Sequence, residues 1–420
     1  MTVNERSAYA SRTLLARDAS VGTDTWETQI NNNVLVVGPS GSGKTRGHLM
    51  PNVLEMGSSY LVMDVKGSLH EGMGPVLRAH GYRVECLDLT DPARSTVGYD
   101  PLDYVRMEDG VPNTLDILDI SGIVCPLQKV EDPYWDHAAA NMLAACIAFV
   151  LEQFPPAEQT FSSALHLADR IDEDEVRRLF LQLEETDPES RAFALGRRVY
   201  ANASAEKMFA STVGVLQQHV TPLVQEEVMQ LFSRPRRIDL GMLGRERSAL
   251  FVVVDDLDKT LSPLVTVLVG QAIRSLFDLA DSLPGRRLAI PVRLMLDDFA
   301  NLRINDMDDV LAVARSRELW ITIICQSVTQ LQAIYGEAKA ASIIGNCDIQ
   351  VLLGTRDYET AQYFSAYADV PASNLLHIPL EKEWLFVRGQ RARMAEKFDV
   401  SEHPLYKELR VGQACPQPTV

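Results

Sequence analysis

The sequence predicts an α/β fold: a parallel-rich, doubly wound sheet written in two pieces around an all-helical insert. Three observations predict it. Strand and helix patterns alternate over the first hundred residues, which implies βαβ units and a parallel sheet. Strand signals vanish between about Tyr134 and Phe232. They return after Ser248 and continue to the run EWLFVRG.

Taken in order, NVLVVG reads as a buried strand and residues 44–55 as a helix. SYLVMDV is a second strand, residues 69–80 a helix, and YRVECLDL a third strand. The middle of the chain carries four helical patterns: DHAAANMLAACIAFVLEQF, DEVRRLFLQLEE, ESRAFALGRRVYA and AEKMFASTVGVLQQHVTPLVQEEVMQLF. Pro, Asp and Thr punctuation such as QFPPAEQT and ETDPES separates them. The later strands are SALFVVVDDL, IPVRLMLDDF, LWITIICQS, CDIQVLLGT and EWLFVRG. The expected domains are 1–110 and 241–420, forming one nucleotide-binding unit, with 111–240 as the all-α insert.

Length and composition fit this plan. A chain of 420 residues, 46% hydrophobic and 7% aromatic, can bury one large α/β domain and a second unit. No run reaches the roughly 18 apolar residues of a membrane span. The nearest, AAANMLAACIAFVL, is alanine-rich and is expected to be a core helix. The start, MTVNERSAYASRTLLARD, has no apolar signal core, so no export is expected. Cys86, Cys125, Cys146, Cys325, Cys347 and Cys415 are scattered without a CxxC pair and are expected to be small core residues in a reducing compartment.

Net charge is −17, against the basic face usual for nucleic-acid binding. The charge is uneven. Residues 169–189 hold nine acidic and three basic residues, while RPRRIDLGMLGRER holds five arginines and two acids. The acidic run is either a solvated helix face or a docking surface for a basic partner.

The chemistry begins at GPSGSGKT, residues 38–45, which matches G-x-x-x-x-G-K-[ST] between a strand and a helix. Gly41 and Gly43 let the loop turn its N–H groups inward around a β-phosphate, and the following helix adds its positive dipole end. The nucleotide-binding set is Gly38, Pro39, Ser40, Gly41, Ser42, Gly43, Lys44, Thr45 and the adjoining Arg46. Lys44 is expected to reach the β- and γ-phosphates and the Thr45 hydroxyl to ligate Mg2+. RLMLDDF then supplies two acids after a buried strand. Asp297 is expected to hold Mg2+ through water, and Asp298 to orient or deprotonate the attacking water. One of the two could instead cap the next helix. Gln326, at the tip of LWITIICQS, is expected to sense the γ-phosphate, unless it or Ser327 is a cap. Arg315 and Arg317 in VARSRE stand at a helix end, where they could complement the dipole. Arg315 is the expected arginine finger for a neighbouring subunit's site. Asp64 in VMDVKG, ending the second strand, is a lesser candidate.

These residues resemble, in order, the coupling ATPases of type IV secretion and conjugation. The resemblance is carried by NNNVLVVGPSGSGKTRGHLMPNVLE, LVMDVKGSL, GYDPLDYV and DPYWDHAA, and more closely by LMLDDFANL, VLAVARSRELWITIICQSVTQLQAIYG and IIGNCDIQVLLGTRDYETAQYFS. It covers about residues 31–404 and is weakest through 155–233. It implies a RecA-like P-loop NTPase that uses ATP and Mg2+ and forms a homo-hexamer around DNA, single-stranded by preference. It also implies a cytoplasmic all-α domain selecting relaxase–DNA or effector cargo for the secretion-channel components. Lys44, Thr45, Asp297, Asp298, Arg315 and Gln326 fall on the family's motif positions.

Three departures qualify it. Asp298 stands where the family has glutamate, one methylene longer, and Ser68 in DVKGS replaces a glutamate. The family's two N-terminal membrane helices have no counterpart here, so the expected location is the cytoplasm or the cytoplasmic face of the membrane. The expectation is either a lost anchor or a soluble branch. The rival functions are a septal-type duplex DNA pump and a nucleotide-gated cargo adaptor that hydrolyses slowly.

Overall fold

The computed structural model describes residues 12–127, 133–201, 206–255 and 257–409. Residues 1–11 and Cys415 lie outside them. The described chain divides into two compact units.

The first unit comprises Met1–Thr90, Asp239–Leu257 and Ala272–Val420. Its strands are β1 (Arg12–Ala16), β2 (Ala19–Gly22), β3 (Val34–Val37), β4 (Ser59–Val65) and β5 (Arg83–Asp88). After β6 (Met107–Glu108) and β7 (Val111–Pro112), a small hairpin of the second unit, it resumes with β8 (Ser248–Val254), β9 (Val292–Leu296) and β10 (Leu319–Cys325). It ends with β11 (Ile349–Leu352), β12 (Lys382–Val387) and β13 (Arg393–Glu396). Nine of these make one sheet in the order β13-β12-β11-β3-β10-β9-β4-β8-β5. From β11 to β5 every pairing is parallel, while β12 and β13 run antiparallel at one edge. Every residue of β3 and of β10 is buried, the sign of a parallel sheet covered on both faces.

Register places the site. Val37 at the end of β3 stands opposite Cys325 of β10 and Leu352 of β11. Three strand ends therefore open together onto residues 38–45. Ligands of open α/β sheets bind at such carboxyl ends.

Two local features depart from expectation. The helix expected over 44–55 is wound as a π-turn at Lys44–Leu49 before an α-helix at Met50–Leu54. Pro51 has no N–H to give the Gly47 carbonyl, so the regular ladder cannot run through. The β1–β2 hairpin was not anticipated. It is docked by buried Asn52, whose side chain accepts from Leu14 N at 2.9 Å and donates to Leu14 O at 2.9 Å.

The second unit comprises Asp91–Ile238 and Asp258–Gln271. It begins twenty residues before the expected boundary at 110, because residues 91–110 add no strand to the large sheet and pack instead around Asp100 and Tyr99. Asp100 is fully buried and accepts from Leu102 N and Phe161 N. Tyr99 Oη donates to Gln271 Oε1 at 2.6 Å. The helices Tyr134–Gln153, Asp174–Thr186 and Arg191–Ala201 share an aromatic core in which Phe149 and Phe180 lie 4.8 Å apart. The long pattern ending in VMQLF is two helices, Glu206–Val220 and Glu226–Ser233, interrupted where Pro222 cannot continue a ladder.

Two helices, Tyr134–Gln153 and Ser262–Ser282, match a membrane span in length and hydropathy, but 72% and 56% of their apolar windows are buried inside the fold. They are core helices. The acids of 169–189 are all exposed. The arginine-rich segment, by contrast, is largely consumed internally. Arg234 donates to the carbonyls of Ser95 and Pro92, Arg237 to Asp103, Arg245 to Asp239, and Arg247 to Met56 O while lying over the Tyr82 ring.

Candidate functional site

Residues 38–45 leave β3 as a tight loop. Gly38 N donates to Cys325 O at 3.1 Å, tying the loop's start to the end of β10. A Cβ on Gly38 would meet Ser42 Oγ at 2.4 Å and Leu353 Cβ at 3.1 Å, so a side chain there would displace Ser42 within the loop. Gly41 and Gly43 have φ of 76° and 96°, the left-handed region in which a side chain is strained.

Lys44 lies inside this loop, its Nζ donating to Gly38 O at 2.7 Å and Pro39 O at 3.0 Å. Burial lowers its pKa, opposed by the negative charges of Asp297 and Asp298. Thr45 Oγ1 donates to Asp297 Oδ2 at 3.2 Å. Asp297 Oδ1 accepts the Asp298 backbone N–H at 3.0 Å. Burial raises the Asp297 pKa, and the Asp298 amide, Lys44 and Thr45 act against that. Asp298 takes a left-handed backbone with φ 53°, uncommon for a non-glycine residue. That turn follows the end of β9 and starts the short 3-10 turn Phe299–Asn301.

Gln326 follows Cys325 directly and is exposed, its backbone N–H donating to Gln330 Oε1 at 3.1 Å. Position in the sheet thus brings Lys44, Thr45, Asp297, Asp298 and Gln326 to one end of adjacent strands. Ser327 caps the next helix, its side chain accepting from Gln330 N.

Arg315 lies elsewhere. It precedes β10, whose far end touches the loop, and seven residues of strand rise put roughly 20 Å between them. Its Nη2 donates to Thr25 O at 2.8 Å. Arg317 pairs with Asp281 at 2.9 Å and lies over the Phe277 ring. Asp64 is a buried helix cap accepting from Leu69 N and His70 N, with a pKa raised to about 6 chiefly by burial. Arg46 is paired with Asp399 at 3.0 Å.

Sequence reasoning missed the residues after β13. Lys397 Nζ donates to Ser42 O at 3.0 Å across 355 positions. No motif announces such a partner; a short terminal hairpin with a lysine just beyond it was the available signal.

Comparison with known proteins accords with this geometry. Residues 2–368 match the family described as type IV secretory system conjugative DNA transfer. The protein VirD4 of Agrobacterium fabrum is 25% identical over 336 residues, 79% of this chain and 48% of that protein. The conjugal transfer protein TraG of Escherichia coli is 26% identical over 360 residues, covering 79% and 54%. The chain thus spans about half the length of these relatives. Among solved structures, the unbound bacterial conjugative coupling protein TrwBdeltaN70 superposes with a TM-score of 0.70 at 17% identity, over 94% of this chain and 90% of that one. Plasmid coupling protein TrwB in complex with ADP and Mg2+ gives 0.67 at 19%, over 87% and 85%. The shared fold is that of a RecA-like P-loop NTPase, and the chain belongs to the type IV secretory system conjugative DNA transfer family.

Proposed function

We propose that this chain is an ATP-driven coupling motor that brings DNA, with its attached relaxase or with effector proteins, to a type IV secretion channel. The observation that carries the reading is the Thr45–Asp297 contact at 3.2 Å beside Lys44. It joins the loop suited to the phosphates with the carboxylate suited to their metal. Thr45 Oγ1 would ligate Mg2+ and Asp297 would hold it through water, with phosphates and further waters filling the rest of its shell, and the metal would neutralise charge on the β- and γ-phosphates. Lys44 moves from loop carbonyls to phosphate oxygens. Asp298 takes a proton from, or orients, the attacking water, and Gln326 positions that water or the γ-phosphate.

The family's name, the VirD4 and TraG relatives and the TrwB complexes support ATP with Mg2+ as the bound pair and DNA transfer as the work. In this reading the active form is a homo-hexamer in which Arg315 completes a neighbour's site, because its own loop is out of reach. DNA, single-stranded by preference, passes along the ring. The helical unit faces cargo, at the cytoplasmic side of the membrane.

The test is steady-state ATP hydrolysis with no DNA, single-stranded DNA and duplex DNA, using Lys44→Ala as control. Hydrolysis that DNA stimulates and Lys44→Ala abolishes is expected. A slow rate indifferent to DNA would replace the motor with a nucleotide-gated adaptor. Directional movement on naked duplex would favour a septal-type pump.

A further inference from the structure

Three consecutive residues just past β13 lie along the phosphate loop and the first turn after it. Lys397 Nζ donates to the Ser42 carbonyl at 3.0 Å. The Phe398 carbonyl runs so close to Gly47 that a Cβ there would stand 2.9 Å from its oxygen. Asp399 accepts from Arg46 Nη2 at 3.0 Å and Nε at 3.3 Å.

The Ser42 carbonyl is an informative acceptor. Across a trans peptide the C=O and the following N–H point in opposite directions. An ammonium group holding the Ser42 oxygen therefore directs the Gly43 N–H the other way. Lys44 holds the Gly38 and Pro39 carbonyls at the loop's start. Lys397 holds its later half from outside.

A second observation stands behind Lys397. Glu383 of β12 pairs with Ala395 of β13, two positions before Lys397 and so on the same face. Glu383 is 3% exposed, and its Oε1 has no hydrogen-bond partner. A carboxyl left so in a sheet core costs stability, and this one lies diagonal to the ammonium that reaches the loop.

We propose that Lys397, backed by the Glu383 carboxyl, is a positioning residue of the nucleotide site, fixing the Ser42–Gly43 peptide so that the Gly43 amide meets the phosphates of a nucleoside di- or triphosphate. This rests on the reading of residues 38–45 as the ATP site. The contact is made to the loop and not to a group that changes during hydrolysis. It therefore favours ground and transition states alike, and its loss falls on KM instead of kcat.

The experiment compares wild-type, Lys397→Met and Lys397→Arg chains by titration with fluorescent mant-ADP and Mg2+, by steady-state hydrolysis and by thermal melting. Lys397→Met is expected to weaken mant-ADP binding and raise KM by about tenfold each, the scale of one charged hydrogen bond. Lys397→Arg is expected to restore most of both, with the melting temperature of Lys397→Met in the absence of nucleotide lower by only about 2 °C, the scale of one lost hydrogen bond in a large chain. Affinity of Lys397→Met equal to wild type overturns the proposal. So does a loss that follows a larger drop in melting temperature and that arginine does not rescue, because that marks a purely structural contact. Should Lys397→Met not fold, Lys397→Gln, which keeps an N–H donor without charge, takes its place. A wild-type affinity for it overturns the proposal, and a several-fold loss supports it. Wild type that binds no mant-ADP is a separate result: it removes the ATP-site reading itself.

Discussion

Thr45 Oγ1 and Asp297 Oδ2 stand 3.2 Å apart although 252 positions separate them in sequence. The contact holds the end of the phosphate loop against the end of β9, two strands over in the sheet. If this pair receives Mg2+, Asp297→Asn removes the charge while keeping the shape. ATP affinity with EDTA should then match wild type, while the tightening that Mg2+ gives wild type should be lost. Titrating mant-ATP in both buffers measures it. Tightening retained in full would place the metal elsewhere.

Lys44→Ala gives a simpler test of the same loop. A ligand that binds only the folded state stabilises it by mass action, about 2.7 kcal/mol at one hundred times its Kd. Millimolar ATP with Mg2+ should raise the melting temperature of wild type and leave Lys44→Ala nearly unmoved. Equal shifts in both would mean that Lys44 does not hold the phosphates.

Much of this site was legible in the sequence because its parts are local. A glycine-rich turn after VLVV and paired acids after RLML each declare themselves within a few residues. The sheet was legible for the same reason: buried parallel strands are continuous apolar runs. Contacts made by distant segments left no such trace. Asp64 looked like a site acid, yet its two oxygens cap Leu69 and His70, and a strand-end aspartate reads alike in both roles. The two pieces of the second unit, and the Lys397 contact with Ser42, are set by three-dimensional packing that no spacing records.

Glu383 offers a test by pH. Burial raises its pKa from the usual 4.5 to about 8, with Lys397 acting in the opposite direction. Between those values the unfolded chain has lost this proton while the folded chain keeps it. The group's contribution therefore declines as pH rises through that window. Glu383→Gln cannot ionise and escapes the loss. Relative to wild type, the variant should gain on the order of 2 kcal/mol from pH 5 to pH 8, since each pKa unit corresponds to about 1.4 kcal/mol and relaxation trims the total. Melting both proteins across that range checks the sign. A constant difference would show that Glu383 is ionised throughout.

Arg315 should separate a partner's site from its own. Its hydrogen bond to Thr25 O predicts that Arg315→Ala loses about 1 kcal/mol of stability. A finger acting in trans predicts far more for turnover, about three orders of magnitude, with ATP binding spared. Mixing Arg315→Ala with Lys44→Ala should recover activity, because each supplies what the other lacks. Wild-type turnover per chain should also climb with protein concentration. A mixture without activity, with a wild-type rate independent of concentration, would leave Arg315 a structural residue.

The exposed acids of 169–189 test what the helical unit does. Glu184, Glu185 and Glu189 lie at or beyond the C-terminal end of the helix Asp174–Thr186, and Asp172 precedes it; all four are exposed. Lysine at a helix C-terminus complements its dipole, so reversing Glu184 and Glu185 should not weaken the fold. Far-UV dichroism and melting of the Glu184→Lys, Glu185→Lys double variant should match wild type, and so should its ATP binding. Its DNA affinity should still fall with salt, because phosphate contacts by Lys and Arg release counterions whatever the net charge of −17. Recognition of a basic cargo is the one property expected to change. A purified relaxase or effector that wild type binds should lose affinity for the variant, and the wild-type affinity should itself weaken as salt screens the charges. Binding that is equal for the two proteins at every salt concentration would make the acidic run a solvated face and move cargo recognition to another surface of the helical unit.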